Sequence, residues 1–160
     1  VVEEFIEAID VVPTLVEFAG GTAPLERIEG RSLLPFVHQK DGGLSWRDCA
    51  ISEIDFSDRG PRTLLDVHPY ECRSRMIKTT KWKYIFHEHF PPQLFDLEND
   101  PHELIDLGED PGFRAARQEN YDRLFTWFRM LKVRTEIPTE TLFDMGPELD
   151  EELGIMIGHW

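Results

Sequence analysis

Two cysteines, six histidines and several runs of carboxylates are the side chains of this chain best able to do chemistry. Cys49 and Cys72 are too few for a disulfide framework, and their spacing is not that of a CxxC pair. Two free thiols fit a reducing compartment, so a cytoplasmic location is expected. His68 and Cys72 have a spacing that a helix could turn toward zinc, but Pro69 disfavours a helix between them and a structural zinc needs four ligands. His87 and His89 would share one face of a strand and again supply only two ligands. His38, His102 and His159 are isolated and read as exposed.

The carboxylate cluster Asp96, Glu98, Asn99, Asp100 and Glu103 has the oxygen chemistry that calcium wants. It lacks the central glycine and the spacing of an EF-hand loop. Turn and cap chemistry, in which such residues satisfy free backbone N–H groups, is the simpler account. Arg73, Arg75, Lys78, Lys81 and Lys83 form the one positive stretch, and the interleaved Trp82, Tyr84 and Phe86 have the look of a single-strand nucleic-acid platform. Period-two alternation again offers a simpler reading, with charges on the outer face of a hairpin and aromatics on the inner. Phe125, Trp127 and Phe128 read as core in the same way.

The elements that must position these residues follow from pattern. Val2, Phe5, Ile6, Ile9, Val12, Leu15, Val16 and Ala19 recur at helical spacing up to Gly20-Gly21, and Pro13 divides the run, with Asp10 placed to cap the second piece. Ser32 is placed to cap a short helix through Val37, and 38–45 reads as a polar turn. Residues 47–54 have strand length. Asp55 to Cys72 shows no sustained period and reads as a long loop; loops of that length are usually functional or disordered. Arg75–Thr79 and Trp82–His87 predict a hairpin, and Gln93–Leu97 a third strand. Asp100, Pro101 and Glu103 fit a capped helical turn, and Asp110-Pro111 repeats the device ahead of an amphipathic helix carrying Phe113, Ala116, Leu124, Trp127, Phe128 and Leu131. Beyond Lys132 the chain is acidic and then apolar from Leu153 to Trp160, which reads as a docking arm.

The 160 residues amount to about one domain and carry a formal charge of −14. A field of that sign repels nucleic acid and anionic membrane surfaces, so neither is expected as a partner. The longest apolar run, Leu33–Val37, is far below the roughly 20 residues that span a bilayer. The chain opens at Val1 in what already reads as a helix, so the sequence reads as a piece of something longer.

Four stretches in order, Ile9–Gly20 (IDVVPTLVEFAG), Glu29–Val37 (EGRSLLPFV), Arg75–His87 (RMIKTTKWKYIFH) and Gln93–Pro111 (QLFDLENDPHELIDLGEDP), resemble the C-terminal part of the sulfatase branch of the alkaline phosphatase superfamily. The phrases WRDCAISEIDFSDRG, HEHFPPQLFDLENDP and GIMIGHW look closest to phosphonate monoester hydrolases. The resemblance implies a parent enzyme that hydrolyses a sulfate, phosphate or phosphonate ester with a divalent metal and a formylglycine made within a C/S-x-P-x-R motif. Cys72 lies in CRSRM and Cys49 in CAISE, and neither has the motif's proline. The family's adjacent Asp-His or Asp-Asn metal pair is also missing, since Asp66-Val67-His68 interposes a residue and Asn99-Asp100 lies in a turn motif.

The expectation is therefore an α/β parent. For this chain alone it is α+β, with 1–72 ending the large domain and 73–133 forming a small antiparallel sheet covered by one helix. Residues 134–160 form an acidic arm with an apolar tip. No catalytic or metal residue is assigned, substrate-binding residues are left open, and no cofactor is expected in the chain itself. The expected partners are an N-terminal catalytic half and further copies of the chain, joined in a homo-oligomer through the arm. The chain alone should be inactive, contributing fold, an active-site rim along 55–72 and oligomer contacts. The alternative is a stand-alone acidic module that binds a protein partner.

Overall fold

The structure is a computed structural model and describes residues 3–25, 27–38 and 45–132. The turn at 39–44 and the arm at 134–160, with His159, lie outside the described residues. In chain order the elements are α1 (Val11–Phe18), α2 (Leu34–Val37), β1 (Ala50–Asp55), α3 (Gly60–Leu64), β2 (Arg73–Lys78), β3 (Trp82–His87), β4 (Gln93–Asp96) and α4 (Arg114–Arg129), with single 3-10 turns at Ala8–Asp10, Pro69–Glu71 and Pro111–Phe113. Mixed helix and antiparallel sheet with one covering helix is the expected class.

Pro13 is the third residue of α1, where a missing N–H costs no internal bond, and the helix closes on Gly20. Gly20 takes a φ of 82° as Gly21 N–H donates to the Val16 carbonyl at 2.9 Å. Ser32 stands one residue before the N-cap position, which Leu33 occupies, and its Oγ accepts from Leu34 N–H at 3.3 Å in the turn that leads into α2. The Thr14 hydroxyl accepts from Leu33 N–H at 2.9 Å and thereby ties α2 to α1.

The four strands form an antiparallel meander in the order β1-β2-β3-β4. The predicted hairpin and third strand are present, and β1 pairs along its whole length with β2, from Ala50 opposite Lys78 to Asp55 opposite Arg73. One row of the register runs Ile51, Ile77, Tyr84, Leu94, and α4 lies across it. Ile77, Tyr84, Leu94 and Leu124 are the buried centre, with Phe86 edge-on to Tyr121 and Phe125. Burial pushes the Tyr84 phenol up to about 12, with the nearby Tyr121 adding to the shift. Asp110 opens the approach to α4 as expected, its Oδ1 accepting from Gly112 N–H at 2.7 Å.

Several expectations are corrected. Asp55–Cys72 is not a structureless loop: it holds α3 and the 69–71 turn, and Phe56 N–H closes its base on the Cys72 carbonyl at 3.0 Å. Buried Val67 and Cys72 supply it with a small core that carries no period in the sequence. Residues 100–103 form a turn and not a capped helix, because Glu103 adopts a φ of 57° and sends its carboxylate to Lys83. Arg75 does not face outward. It stands opposite Phe86 on the helix-covered face, with its guanidinium 4.6 Å from the centre of the Phe128 ring. Among the described residues no helix is long and apolar enough to cross a membrane.

Candidate functional site

The most buried charge in the described structure is Asp10, with no exposed surface. The 3-10 turn at 8–10 places it under Arg47, whose Nη2 donates to Oδ1 at 2.6 Å and whose Nη1 donates to Oδ2 at 2.8 Å. The same Nη1 reaches Glu7 Oε2 at 2.7 Å. Backbone N–H groups complete the shell, Glu7 and Arg31 donating to Asp10 at 2.9 and 2.8 Å and Ile51 to Glu7 at 2.5 Å. Burial alone would raise the Asp10 pKa; the Arg47 bond and the two backbone donors outweigh it and hold the carboxyl below its usual range. Asp10 was expected to cap α1, and its side chain is spent on this knot instead. Each oxygen of Asp10 accepts two bonds, and Arg47 is spent on two carboxylates, which is the pattern of a structural knot.

Neither candidate thiol is freely exposed. Cys72 Sγ donates to the His68 carbonyl at 3.4 Å, and burial raises its pKa. The His68 ring accepts from Tyr70 N–H at 3.3 Å, so the pair makes a turn and no metal site. Cys49 is half-buried, and burial followed by the neighbouring Asp48 raises its pKa as well. Neither thiol has the thiolate character that nucleophilic work requires.

The carboxylate cluster does turn chemistry. Asp96 Oδ1 accepts from the N–H groups of Glu98 and Asn99 at 3.1 and 3.2 Å, and the Asn99 side chain leads the groups holding its pKa down. Asp100 Oδ2 accepts from Ile105 N–H at 2.8 Å. Four of the five cations of the stretch are neutralised: Arg73 by Asp55, Arg75 by Glu53 and Glu88, Lys81 by Glu98, and Lys83 by Glu103, while Lys78 has no ion pair among the described residues. With all but one of its charges paired and Trp82, Tyr84 and Phe86 turned to the helix, the stretch is no nucleic-acid platform.

His87 and His89 are not brought together. His89 lies beyond the end of β3 and contacts Glu71 at 3.2 Å, tying the 56–72 excursion to the β3–β4 connection. His87 belongs to a polar row that sequence reasoning missed: Nδ1 lies 2.7 Å from Ser74 Oγ and Nε2 3.3 Å from Gln93 Oε1, while Gln93 Nε2 donates to Asp106 Oδ2 at 3.2 Å. Ser74 and His87 are directly opposed in the observed hairpin, but Ser74 lies one residue before the predicted strand Arg75–Thr79, so the pairing was out of reach of that prediction.

The formylglycine and the divalent metal that the resemblance implies do not fit the described residues. The thiols are buried or half-buried outside the required motif, the carboxylates of the 96–103 cluster are taken by backbone amides and cations, and among the described residues no three His, Cys, Asp or Glu converge to hold a metal.

The family model for the C-terminal part of N-sulphoglucosamine sulphohydrolase matches residues 1–129. The multifunctional alkaline phosphatase superfamily protein PehA of Trinickia caryophylli is 34% identical over 128 residues, covering 78% of this chain and 24% of that protein. The phosphonate monoester hydrolase of Agrobacterium radiobacter superposes with a TM-score of 0.70 at 31% identity, over 80% of this chain and 26% of the other. That of Silicibacter pomeroyi superposes at 0.69 with 26% identity, over 81% and 26%. The chain thus spans about a quarter of the length of these relatives.

Proposed function

Because the chain belongs to the family of sulphohydrolase C-terminal domains, we propose that it completes the fold of a longer metal-dependent ester hydrolase whose nucleophile and metal ligands lie outside the described residues. The observation that carries this is the superposition of 80% of the chain on a quarter of a phosphonate monoester hydrolase. A sulfuric or phosphonic ester is the substrate class, taken from what those relatives are. The parent's formylglycine and divalent metal would supply the nucleophile and its activation; this chain supplies packing.

The surface supports the reading. α1 leaves Val12, Leu15 and Phe18 at 58, 60 and 78% exposure, and Ile6 and Ile9 beside them are each 44% exposed. Such a patch marks a face built to meet more protein. Leu64 and Tyr70 project from the 56–72 excursion, which we assign to the rim of the substrate mouth. The reading extends to homo-oligomer contacts through 134–160, on the ground that an apolar tip follows a polar tether, and to a reducing compartment, since both thiols are free. A stand-alone interaction module finds no specific support.

The test is to graft residues 1–129 in place of the matching segment of the Agrobacterium enzyme. Retained hydrolysis of an aryl phosphonate monoester, abolished by chelation, is the expected result. A folded graft with no turnover would overturn the assignment.

A further inference from the structure

On the sheet face away from α4, the row Asp106, Gln93, His87, Ser74 has one self-consistent pattern of protons when the His87 ring is neutral. The Asp106 carboxylate accepts from Leu94 N–H at 3.1 Å and Gly108 N–H at 2.8 Å, and it has no proton to give. Gln93 must therefore turn its NH2 to Asp106, which leaves its carbonyl oxygen facing His87. That oxygen requires a proton on His87 Nε2. The lone pair is then on Nδ1, 2.7 Å from Ser74 Oγ, and Ser74 O–H donates to it. A serine hydroxyl hydrogen-bonded to the basic nitrogen of an imidazole, whose other nitrogen is held by a third group, is the arrangement of an activated nucleophile.

Ser74 and His87 also line a cavity of about 310 Å³ whose other walls are Ser52, Glu53, Ile54, Met76, Lys83 and Ile85. Most of the surface inside it is apolar, and the volume is that of a small organic group. We propose that Ser74 is a base-assisted nucleophile that takes an acyl group from uncharged carboxylic esters with a small apolar acyl chain. In the step, Ser74 Oγ bonds to the carbonyl carbon while its proton passes to His87 Nδ1. The carbon–oxygen bond to the leaving alcohol breaks, and His87 returns the proton to that oxygen. The strand amides on either side are spent in the ladder, so no pair of N–H donors stabilises an oxyanion. Both acylation and deacylation are slowed by that lack, but with an activated ester the first step expels the better leaving group while the second must expel the serine oxygen, so the reaction stops at about one acyl group per chain. It is independent of the ester hydrolysis proposed above and needs no metal.

The experiment is incubation of the 160-residue chain with p-nitrophenyl butyrate in the presence of EDTA, following nitrophenolate release and locating the adduct by peptide mass spectrometry. The expected result is a single burst with butyrate on Ser74, absent in Ser74→Ala and slowed about a hundredfold in His87→Gln. Ser74→Cys guards against a variant that fails to fold, since it should carry the butyryl group as a thioester at the same position. Gln93→Leu, which releases the tautomer, should move the pH profile of the burst as well as its rate. No adduct in the wild type, an adduct elsewhere, or an unchanged rate in a folded His87→Gln variant would overturn the proposal.

Discussion

Arg47 holds Asp10 through two parallel hydrogen bonds of 2.6 and 2.8 Å across 37 residues of sequence, and Asp10 has no exposed surface. This fork fastens the turn before α1 to the segment entering β1, helped by Trp46 Nε1 donating to the Phe5 carbonyl at 2.8 Å. The helix that carries the exposed apolar face is thereby locked to the sheet.

Arg47→Ala leaves Asp10 buried and unpaired. It should destabilise the fold by about 3 kcal/mol or more, read as a lower urea midpoint. The double variant Arg47→Met with Asp10→Leu should recover part of that loss, because it removes the fully buried carboxylate along with its cation, and the recovery stays partial because Glu7 loses Arg47 and keeps the Ile51 N–H.

Acid should open the same lock. The folded pKa of Asp10 is lowered by Arg47 and by the backbone donors against the opposing effect of burial, so the folded state binds its proton less readily than the unfolded chain. The stabilisation is complete above the unfolded carboxylate pKa and is lost as pH falls through the lower folded value. Urea titrations across the acid range should show this loss in the wild type, and a smaller loss in the double variant.

Leu124 is fully buried against Ile77, Tyr84 and Leu94. Leu124→Ala should cost roughly 2–5 kcal/mol through lost transfer energy and the cavity left behind, measured by calorimetry. The surface change Leu64→Ala, at 86% exposure, should be close to neutral.

Gly108 touches backbone where a side chain cannot fit. A Cβ there would lie 2.0 Å from the Pro92 carbonyl oxygen and 2.8 Å from Gln93 Cα. Gly108→Ala should force the turn away from β4 and lower stability by about 1–3 kcal/mol. Amide exchange should report the change at Leu107, whose N–H donates to the Leu94 carbonyl.

What was legible in the sequence was what neighbouring residues decide. Trp82, Tyr84 and Phe86 alternate, the turn between β2 and β3 is short, and α4 carries its own period, so hairpin and covering helix follow from pattern. Asp110-Pro111-Gly112 specifies its turn by local hydrogen bonding. Partnerships over distance were hidden. Nothing near Asp10 announces Arg47, so a good capping residue was assigned to the helix beside it. Arg75 faces the helix because Glu53 and Glu88, from different elements, neutralise it there. The 56–72 excursion hides its two short helical segments because a core of Val67 and Cys72 is too small to leave a period. The row from Asp106 to Ser74 needed both strand pairings at once.

The central claim is tested most directly by assaying the purified 160-residue chain on aryl phosphonate and aryl sulfate esters, with added divalent metal and after chelation. The account predicts no metal-dependent turnover of either ester. Turnover that rises with metal and vanishes on chelation would contradict it and place the hydrolytic centre within this chain.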